Sequence, residues 1–237
     1  MNPTVARLTL RGLLGRRRGI LLLVVPALLL LVSAIASGTE GSEHTLATRI
    51  LGQLDLGTLV PILGLVVGTG VIATEIDDGS IVYLLAKPLP RWRIVTTKLA
   101  VAIGTTWVLA GIPTLLCGLL LIGREDGIAL GYTVAALASG AAYSALFLLL
   151  GVVTRHAVVA GLGYALIWEA LIGNYVSGAR TLSIQQWGRA VAETVSGADL
   201  SAEVSVGVAA TLLLTVTVAA AVLASVKLAG LTLAAEE

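Results

Sequence analysis

Charged residues are scarce in this sequence. Asp, Glu, Lys and Arg together make up 12% of its 237 residues, about half of the roughly 25% that is usual in a soluble domain. Hydrophobic residues make up 57%, and the mean hydropathy is +0.98. A chain with so little charge does not fit a soluble domain, and we expect an integral membrane protein.

Sulfur ligands and nucleotide-binding loops are also rare or missing. One cysteine, Cys117, lies in the apolar run TLLCGLLLIG, so the chain offers no internal disulfide, and we expect a buried, inert thiol. One Cys and one Met disfavour copper handling, because Cu(I) prefers soft sulfur ligands. None of the three lysines follows a GxxxxGK(S/T) pattern, so the sequence contains no phosphate-cradling loop of that type.

Long apolar runs dominate what is present. A helix that crosses a bilayer needs about 20 mainly apolar residues. Six stretches meet this requirement: 19–37, 56–74, 97–122, 128–153, 157–176 and 204–226. The sequence therefore predicts an all-α membrane protein, with six transmembrane helices that form a single domain over residues 1–237.

The basic residues predict the orientation of these spans. Six spans place both termini on one side, and the more basic side is usually cytoplasmic. With the amino terminus inside, eleven basic residues lie inside and four outside, the four being Arg49, Arg124, Arg180 and Arg189. We therefore expect both termini to be cytoplasmic. The abundance of Ala, Gly, Val and Leu is associated with high-GC bacteria, so the expected location is a bacterial inner (plasma) membrane.

The first span has an alternative interpretation as a signal peptide. Ala34, Ile35 and Ala36 follow the apolar run and fit a small-x-small cleavage site. The arginine-rich start is longer than a usual secretory n-region, and cleavage would leave five spans. We therefore favour a retained span.

Two further stretches predict amphipathic helices outside the spans. In TVARLTLRGLLGRRRG, before the first span, leucines are interleaved with arginines. This mixture suits a helix in the headgroup region, although the arginines can also act as topology determinants alone. In the loop 176–203, hydrophobic residues spaced by three and four predict an external helix resting on the membrane surface, with Trp187 at the interface; they are Ile184, Trp187, Val191 and Val195.

Residues 73–98, ATEIDDGSIVYLLAKPLPRWRIVTTK, form a charged segment on the predicted cytoplasmic side. Asp77 or Asp78 can cap a short helix, and Pro88 and Pro90 end it. The apolar residues that then share one helical face are Ile81, Leu84 and Leu85. A helix of about two turns is marginal in water, so we expect this face to rest on the membrane, on another loop or on a partner protein.

The segment resembles the cytoplasmic loop after the second span of type-2 ABC transporter permeases. That family commonly has there an acid, a Gly-Ser or Gly-Thr pair, a Leu-Leu-small-x-Pro turn, an Arg, and a Lys that enters the third span. The matching residues here are Glu75, Asp78, Gly79, Ser80, Leu84, Leu85, Ala86, Lys87, Pro88, Arg91 and Lys98. A second match consists of Leu166, Ile167, Trp168, Glu169, Ala170, Asn174 and the stretch TLSIQQW.

The resemblance implies the transmembrane permease subunit of an ATP-driven ABC exporter. The short helix would be the coupling helix that docks on a separate ABC ATPase, through Glu75, Asp78, Gly79, Ile81, Leu84, Leu85, Pro88 and Arg91. That partner would bind ATP and Mg²⁺, so this chain would be non-catalytic and would bind no cofactor itself. A second permease copy or a homologous permease would complete a dimeric pathway surrounded by membrane lipids, and no nucleic acid is implied.

Glu169 is the one acid that the sequence places inside a span. A charge at the bilayer centre costs about 2.5–3.5 kcal/mol, so such residues usually face a cavity or a partner. One interpretation places Glu169, with Trp168 and Asn174, in the substrate pathway or its gate. The other is a protonated or hydrogen-bonded Glu that fixes helix packing, with Trp107, Tyr143 or Asn174 as its partner.

Other functions fit the sequence less well. An intramembrane hydrolase needs a nucleophile and a base within hydrogen-bond reach, but His44 and His156, the only histidines, are predicted on opposite sides of the membrane. Glu75, Asp77 and Asp78 could give a metal-dependent transferase its oxygen ligands, although acids at a helix start are usually caps. The main alternative is an ion-coupled secondary transporter, which usually has several ionisable groups and broken helices near the midplane.

Overall fold

The computed structural model describes residues 3–13, 15–37, 44–73, 75, 90–123, 127–173, 180–200 and 202–233. Nearly all of these residues are helical, and none of them lies in a β-strand. Their α-helices are α1 (Pro3–Leu13), α2 (Arg16–Ser37), α3 (His44–Arg49), α4 (Val60–Gly70), α5 (Arg91–Thr106), α6 (Ile112–Leu121), α7 (Ile128–Val153), α8 (Ala157–Gly163), α9 (Ile184–Ser196) and α10 (Val206–Leu233). Segments with wider, π-helical turns are π1 (Ile50–Leu59), π2 (Trp107–Gly111) and π3 (Tyr164–Ile172).

Four helical stretches of the described residues are long and apolar enough to cross a membrane. They are Leu46–Gly70, Arg91–Leu121, Ile128–Val153 and Val206–Gly230, and they correspond to the second, third, fourth and sixth predicted spans. The first and fifth predicted spans correspond to shorter apolar stretches, Leu22–Ser37 and Ala157–Glu169. The chain is therefore an all-α membrane protein, and the count of six spans stays a prediction.

The predicted start of the second span is wrong. Residues 38–55 were expected to form an external loop, but the chain is helical from His44 onward. Leu51, Asp55 and Leu59 follow one another at a spacing of four and are all buried. The polar residues of this stretch suggested a loop, whereas they lie on a helix that buries Asp55 and leaves Arg49 and Gln53 exposed.

Helix α5 begins at Arg91, earlier than the predicted start at residue 97. Pro90 precedes it with φ −63° and ψ 135°, an extended conformation. Proline has no N–H to leave unpaired at a helix start and fixes φ near this value. The basic residues Arg91, Arg93 and Lys98 therefore belong to the first turns of a long helix rather than to a loop.

Helix α7 lies at the centre of the described bundle, in contact with α4, α5, α6, α8, α9 and α10. Glycine allows the closest of these approaches. A Cβ atom added to Gly64 of α4 would lie 2.6 Å from the Cβ of Tyr143, and one added to Gly118 of α6 would lie 2.6 Å from the Cβ of Ala129. At both crossings a larger residue would push the helices apart.

The face of α10 that packs in the bundle differs in composition from its exposed face. The residues that it buries in the bundle are small or apolar: Ala209, Leu213, Ala220, Ala224 and Leu228. The opposite face exposes large apolar side chains: Leu214, Val218, Val222, Leu223 and Val226. An exposed face of this composition suits contact with lipid chains.

The helix predicted in the loop 176–203 is present as α9, but it does not rest on the end of the bundle. It runs antiparallel to α7, with Ser196 against Gly131 and Gly188 against Ser139. Small residues on α7 allow this close contact along most of the length of α9.

Trp187 of α9 is consequently a buried residue and not an interfacial one. Its side chain is 4% exposed, and its indole N–H donates to the carbonyl oxygen of Thr181 at 2.8 Å. Ile184, on the same face, is also buried. Protein thus covers the first half of the apolar face of α9, whereas Val195 near its end is 47% exposed, which the spacing of hydrophobic residues alone does not reveal.

Candidate functional sites

The predicted coupling segment lies mostly outside the described residues. Asp78, Gly79, Ile81, Leu84, Leu85 and Pro88 all fall within 76–89, so the predicted short helix is not described. Glu75 and Arg91, at the two ends of this segment, are described. The structure therefore shows how the ends are held.

An ion pair joins Glu75 to α5, the helix that begins at Arg91. The ammonium of Lys98 on α5 donates to Oε1 of Glu75 at 2.6 Å and to the carbonyl oxygen of Val71 at 2.6 Å. The Lys98 side chain has no exposed area, and that of Glu75 is 29% exposed. Val71 directly follows α4, so the cation also meets the carbonyl end of that helix, where a positive charge is favourable. The pair locks the end of α4 against α5.

Aromatic and basic side chains lie beside this pair at the start of α5. Trp92 is exposed, and the guanidinium of Arg93 lies over its ring at 5.4 Å from the centroid. Such a contact orients the cation over the indole face. Tryptophan and arginine are both common where a membrane meets water, so this end of α5 suits a membrane interface.

Glu169 forms the second candidate site, in the interior of the bundle. It lies in π3, has no exposed area, and accepts hydrogen bonds from four donors of the described residues. Oε1 accepts from the hydroxyl of Tyr164 at 2.9 Å and from the amide of Ile184 at 3.0 Å. Oε2 accepts from the hydroxyl of Ser183 at 2.5 Å and from the amide of Gln185 at 3.4 Å. The carboxylate therefore occupies the amino end of α9, where backbone N–H groups and the helix dipole favour a negative charge.

The position of Glu169 along the bundle is central. Tyr143 of α7 lies beside it, and Tyr143 is about 22 Å from the start of α7 and about 15 Å from its end at 1.5 Å per residue. The chain from 157 to 196 is thus broken near the middle of the bundle, where π3 ends and α9 begins. Discontinuous helices of this kind place helix termini inside the membrane.

The other residues predicted around Glu169 have different roles in the structure. Trp168 donates from its indole N–H to the carbonyl oxygen of Leu182 at 3.3 Å, so it also joins π3 to the residues before α9. Trp107 donates to the carbonyl oxygen of Leu137 at 2.8 Å and is largely exposed, so it is not the partner of Glu169. Asn174 lies outside the described residues.

Sequence reasoning missed one buried acid. Asp55 lies in π1 and has no exposed area, although it was expected in a solvated loop. A signal for it was present, because Asp55 is four residues from both Leu51 and Leu59, which are buried on the helix. Asp55 therefore joins Glu169 as a second acid with no exposed area in the described helices.

Comparison with known proteins supplies a family. The profile of a family described as ABC-2 family transporter protein matches residues 55–224, which is well over half of the chain. The match begins at the buried Asp55 and includes the 76–89 segment with its Glu75–Lys98 pair, Glu169 and α9. Among curated proteins, none matches the chain significantly.

Proposed function

Because the chain belongs to the ABC-2 family of transporter proteins, we propose that it is the transmembrane permease subunit of an ATP-driven ABC exporter. The observation that carries this proposal is the family match over residues 55–224. The family implies association with an ABC ATPase subunit. The sequence pattern from Glu75 to Lys98 marks the segment expected to dock on it.

In this proposal, residues 76–89 contain the coupling helix. The apolar residues Ile81, Leu84 and Leu85 bury against the ATPase, which gives this face the partner that a two-turn helix needs. Closure of the ATPase on ATP pulls or pushes the segment. Because Lys98 binds both Glu75 and Val71, the displacement passes to α4 and α5 together rather than to one helix alone.

The proposed topology has six spans, with both termini in the cytoplasm of a bacterium and the chain in its inner membrane. The distribution of basic residues supports this orientation. Trp92 and Arg93 support it further, because they would lie at the cytoplasmic interface, where Arg side chains contact anionic headgroups. Helix α1, which packs against α4 and α5, would lie in the same headgroup layer.

The proposed assembly has two permeases and separate ATPase subunits. Residues 1–237 form one permease domain, and a second copy or a homologous permease completes the pathway, since symmetric pairs are the commonest assemblies. ATP and Mg²⁺ belong to the ATPase subunit. This chain is non-catalytic in the proposal, and its part is mechanical.

Glu169 is proposed to act at the gate of the pathway, together with Trp168 and Asn174. The support is that Glu169 and Trp168 hold π3 against Ser183 and Leu182, at the break between two half-length helices. Hydrogen bonds across such a break can be exchanged without unfolding either half. Movement of α4 or α5 reaches this point through α7, which packs against both.

The test uses the full chain, purified with its ATPase in lipid. We expect Leu84→Asp/Leu85→Asp to abolish copurification and stimulated ATP hydrolysis, because two carboxylates cannot bury in an apolar groove. The matched control is Leu84→Met/Leu85→Met, which keeps the apolar volume. ATPase binding by the Asp variant as good as that of the Met variant would overturn the coupling role.

One observation favours the alternative, an ion-coupled secondary transporter. Such transporters carry ionisable groups and broken helices near the midplane, and the structure places Asp55 and Glu169 inside the bundle. The two functions differ in their energy source. Transport in vesicles that persists without the ATPase and stops when the proton gradient is collapsed would favour the carrier, and transport that requires ATP would favour the permease.

A further inference from the structure

Asp55 is a buried acid whose carboxylate has no partner among the described residues. It has no exposed area, and neither Oδ1 nor Oδ2 accepts a hydrogen bond from the described part of the chain. In contrast, the carboxylate of Glu169 accepts hydrogen bonds from four donors. An ionised carboxylate in an apolar interior costs many kcal/mol unless something compensates its charge.

The polar side chains around Asp55 do not supply the missing donors. Thr114 of α6 is a hydrogen-bonding neighbour of the Asp55 carboxylate, but the contact falls outside normal hydrogen-bond geometry, and the hydroxyl donates to the carbonyl oxygen of Ala110 at 2.7 Å. Tyr132 of α7 is also close, and its hydroxyl donates toward the carbonyl oxygen of Thr48 at 3.4 Å. The hydroxyl protons of Thr114 and Tyr132 are therefore already donated elsewhere, and only oxygen lone pairs are left toward Asp55.

The same is true of Cys117 of α6, which also lies near Asp55, and of Ser33, which contacts Cys117. Ser33 of α2 donates to the carbonyl oxygen of Leu29 at 2.8 Å. Ser33 and Cys117 lie 2.7 Å apart, so the thiol proton of Cys117 is the one left to bridge them. Each hydroxyl or thiol has one proton to donate, and the protons of Ser33 and Cys117 are already donated to Leu29 and to Ser33. Among the described residues, the Asp55 carboxylate is therefore left without a donor.

Two acceptors that face each other in a dry interior require a positive charge between them. We propose that Asp55 anchors a binding site for one small cation, a proton or a monovalent metal ion, with the hydroxyl oxygen of Thr114 as its second ligand. Thr114 and Cys117 have no exposed area either, so the site is shielded from solvent. It lies in π1, a π-helical segment, and such segments frequently occur at functional sites.

No fixed cation of the described residues replaces this ion. The ionisable groups that face the site are Cys117 from α6 and Tyr132 from α7. Arg189 of α9 lies beside Tyr132 and Gly52, and Asp55 forms no ion pair with it. From α2, Ser33 contacts Cys117 and does not ionise. Within the described part of the chain, a mobile cation is therefore the remaining way to balance the charge.

Infrared spectroscopy of the full chain in lipid vesicles tests the site directly. Spectra are recorded with choline as the cation, and again with Na⁺ or K⁺, for the wild type and Asp55→Asn. If the cation is a proton, the wild type shows the carbonyl stretch of a carboxylic acid in all three media, and Asp55→Asn loses it. If it is a metal ion, adding Na⁺ or K⁺ shifts a carboxylate band that Asp55→Asn lacks.

Matched variants keep the test decisive. Glu169→Gln removes the other buried acid, whose carboxylate already accepts hydrogen bonds. The acid band or the cation response of Asp55 must therefore persist in this variant. Should Asp55→Asn fail to fold, Thr114→Val retains Asp55 and is expected to shift the same band, whereas Thr114→Ser keeps the oxygen and leaves it in place. The proposal is overturned if neither an acid band nor a cation response depends on Asp55 or Thr114. This readout needs no ATPase, so it is independent of the permease proposal.

Discussion

Lys98 on α5 donates a hydrogen bond at 2.6 Å to Glu75, across the base of the segment 76–89. Glu75 is the last described residue before 76–89, and α5 begins just after that segment at Arg91, so this contact joins its two flanks. Because the same ammonium binds the carbonyl oxygen of Val71, the end of α4 and the beginning of α5 behave as one mechanical unit. In the proposed coupling, a force on this segment would reach both helices at once.

Replacing Lys98 with methionine should destabilise the chain. The variant leaves the carboxylate of Glu75 and the carbonyl of Val71 without the ammonium that both contact. Removing one partner of a buried ion pair costs about 3–5 kcal/mol, and the partial exposure of Glu75 places the expected loss near 2–3 kcal/mol. Thermal unfolding of the purified chain, followed by tryptophan fluorescence, measures it.

Arg93→Met is the matched control, since it removes a cation from the exposed side of the same helix. Its effect should stay within about 1 kcal/mol. Exchanging the charges in Lys98→Glu/Glu75→Lys should recover part of the stability lost in Lys98→Glu alone. An Lys98→Met variant as stable as Arg93→Met would show that the pair does not hold the loop.

Local sequence patterns predicted most of the helices. Runs of apolar residues identified α2 and α7 within a few residues of their ends, because lipid-facing helices must be apolar along their length. They also identified the start of α10, but the predicted end at residue 226 falls short of the observed end at Leu233. The spacing of Ile184, Trp187 and Val191 identified α9. What the pattern could not reveal is which surface covers an apolar face, so α9 was expected against lipid rather than against α7.

The contacts of the buried acids depend on residues distant in sequence, and these were missed. Glu169 is satisfied by the backbone of Ile184 and Gln185, which no side-chain pattern encodes. Asp55 was assigned to a loop because a hydropathy window counts a polar residue against the span regardless of what surrounds it. The family pattern in the 73–98 segment did include two residues that meet in the structure, since Glu75 and Lys98 form the ion pair.

Gly64→Ala should destabilise the crossing of α4 and α7. The added Cβ would lie 2.6 Å from the Cβ of Tyr143, whose own position is fixed by the helix backbone, so the helices must separate. Overpacking of this kind typically costs about 1–3 kcal/mol. The control is Gly104→Ala in α5, where no atom lies within 4 Å of the added Cβ. Alanine there should be neutral or stabilising by up to about 1 kcal/mol, and equal losses in the two variants would contradict the packing argument.

Arg180→Gln should change stability little. Arg180 pairs with Glu203, but the two side chains are 34% and 38% exposed. Exposed pairs contribute about 1 kcal/mol or less, and salt screens them. We expect the difference in unfolding temperature between Arg180→Gln and the wild type to be small and to shrink further at high ionic strength. A large, salt-independent loss would mean that Arg180 has a buried structural role.

Glu169→Gln should cost about 2–3 kcal/mol, because the amide keeps one acceptor oxygen where the carboxylate has two and loses the charge that the amino end of α9 stabilises. Glu193→Gln is the matched control: Glu193 also accepts two backbone amides, from Leu200 and Ala202 at 2.9 Å each, but it is only partly buried. Glu193→Gln should therefore lower the free energy of unfolding by less than Glu169→Gln does.

Stability alone does not separate the two interpretations of Glu169, and transport does. If the carboxylate only fixes packing, Ser183→Ala, which removes one donor at the same helix end and costs about 1 kcal/mol, should reduce transport in proportion to the stability that it loses, as should Glu169→Gln. If Glu169 acts at the gate, its substitution should stop transport at temperatures where the protein is still fully folded, while Ser183→Ala stays active. The comparison is made with folded protein in vesicles at several temperatures below unfolding, so that loss of structure and loss of gating are measured separately.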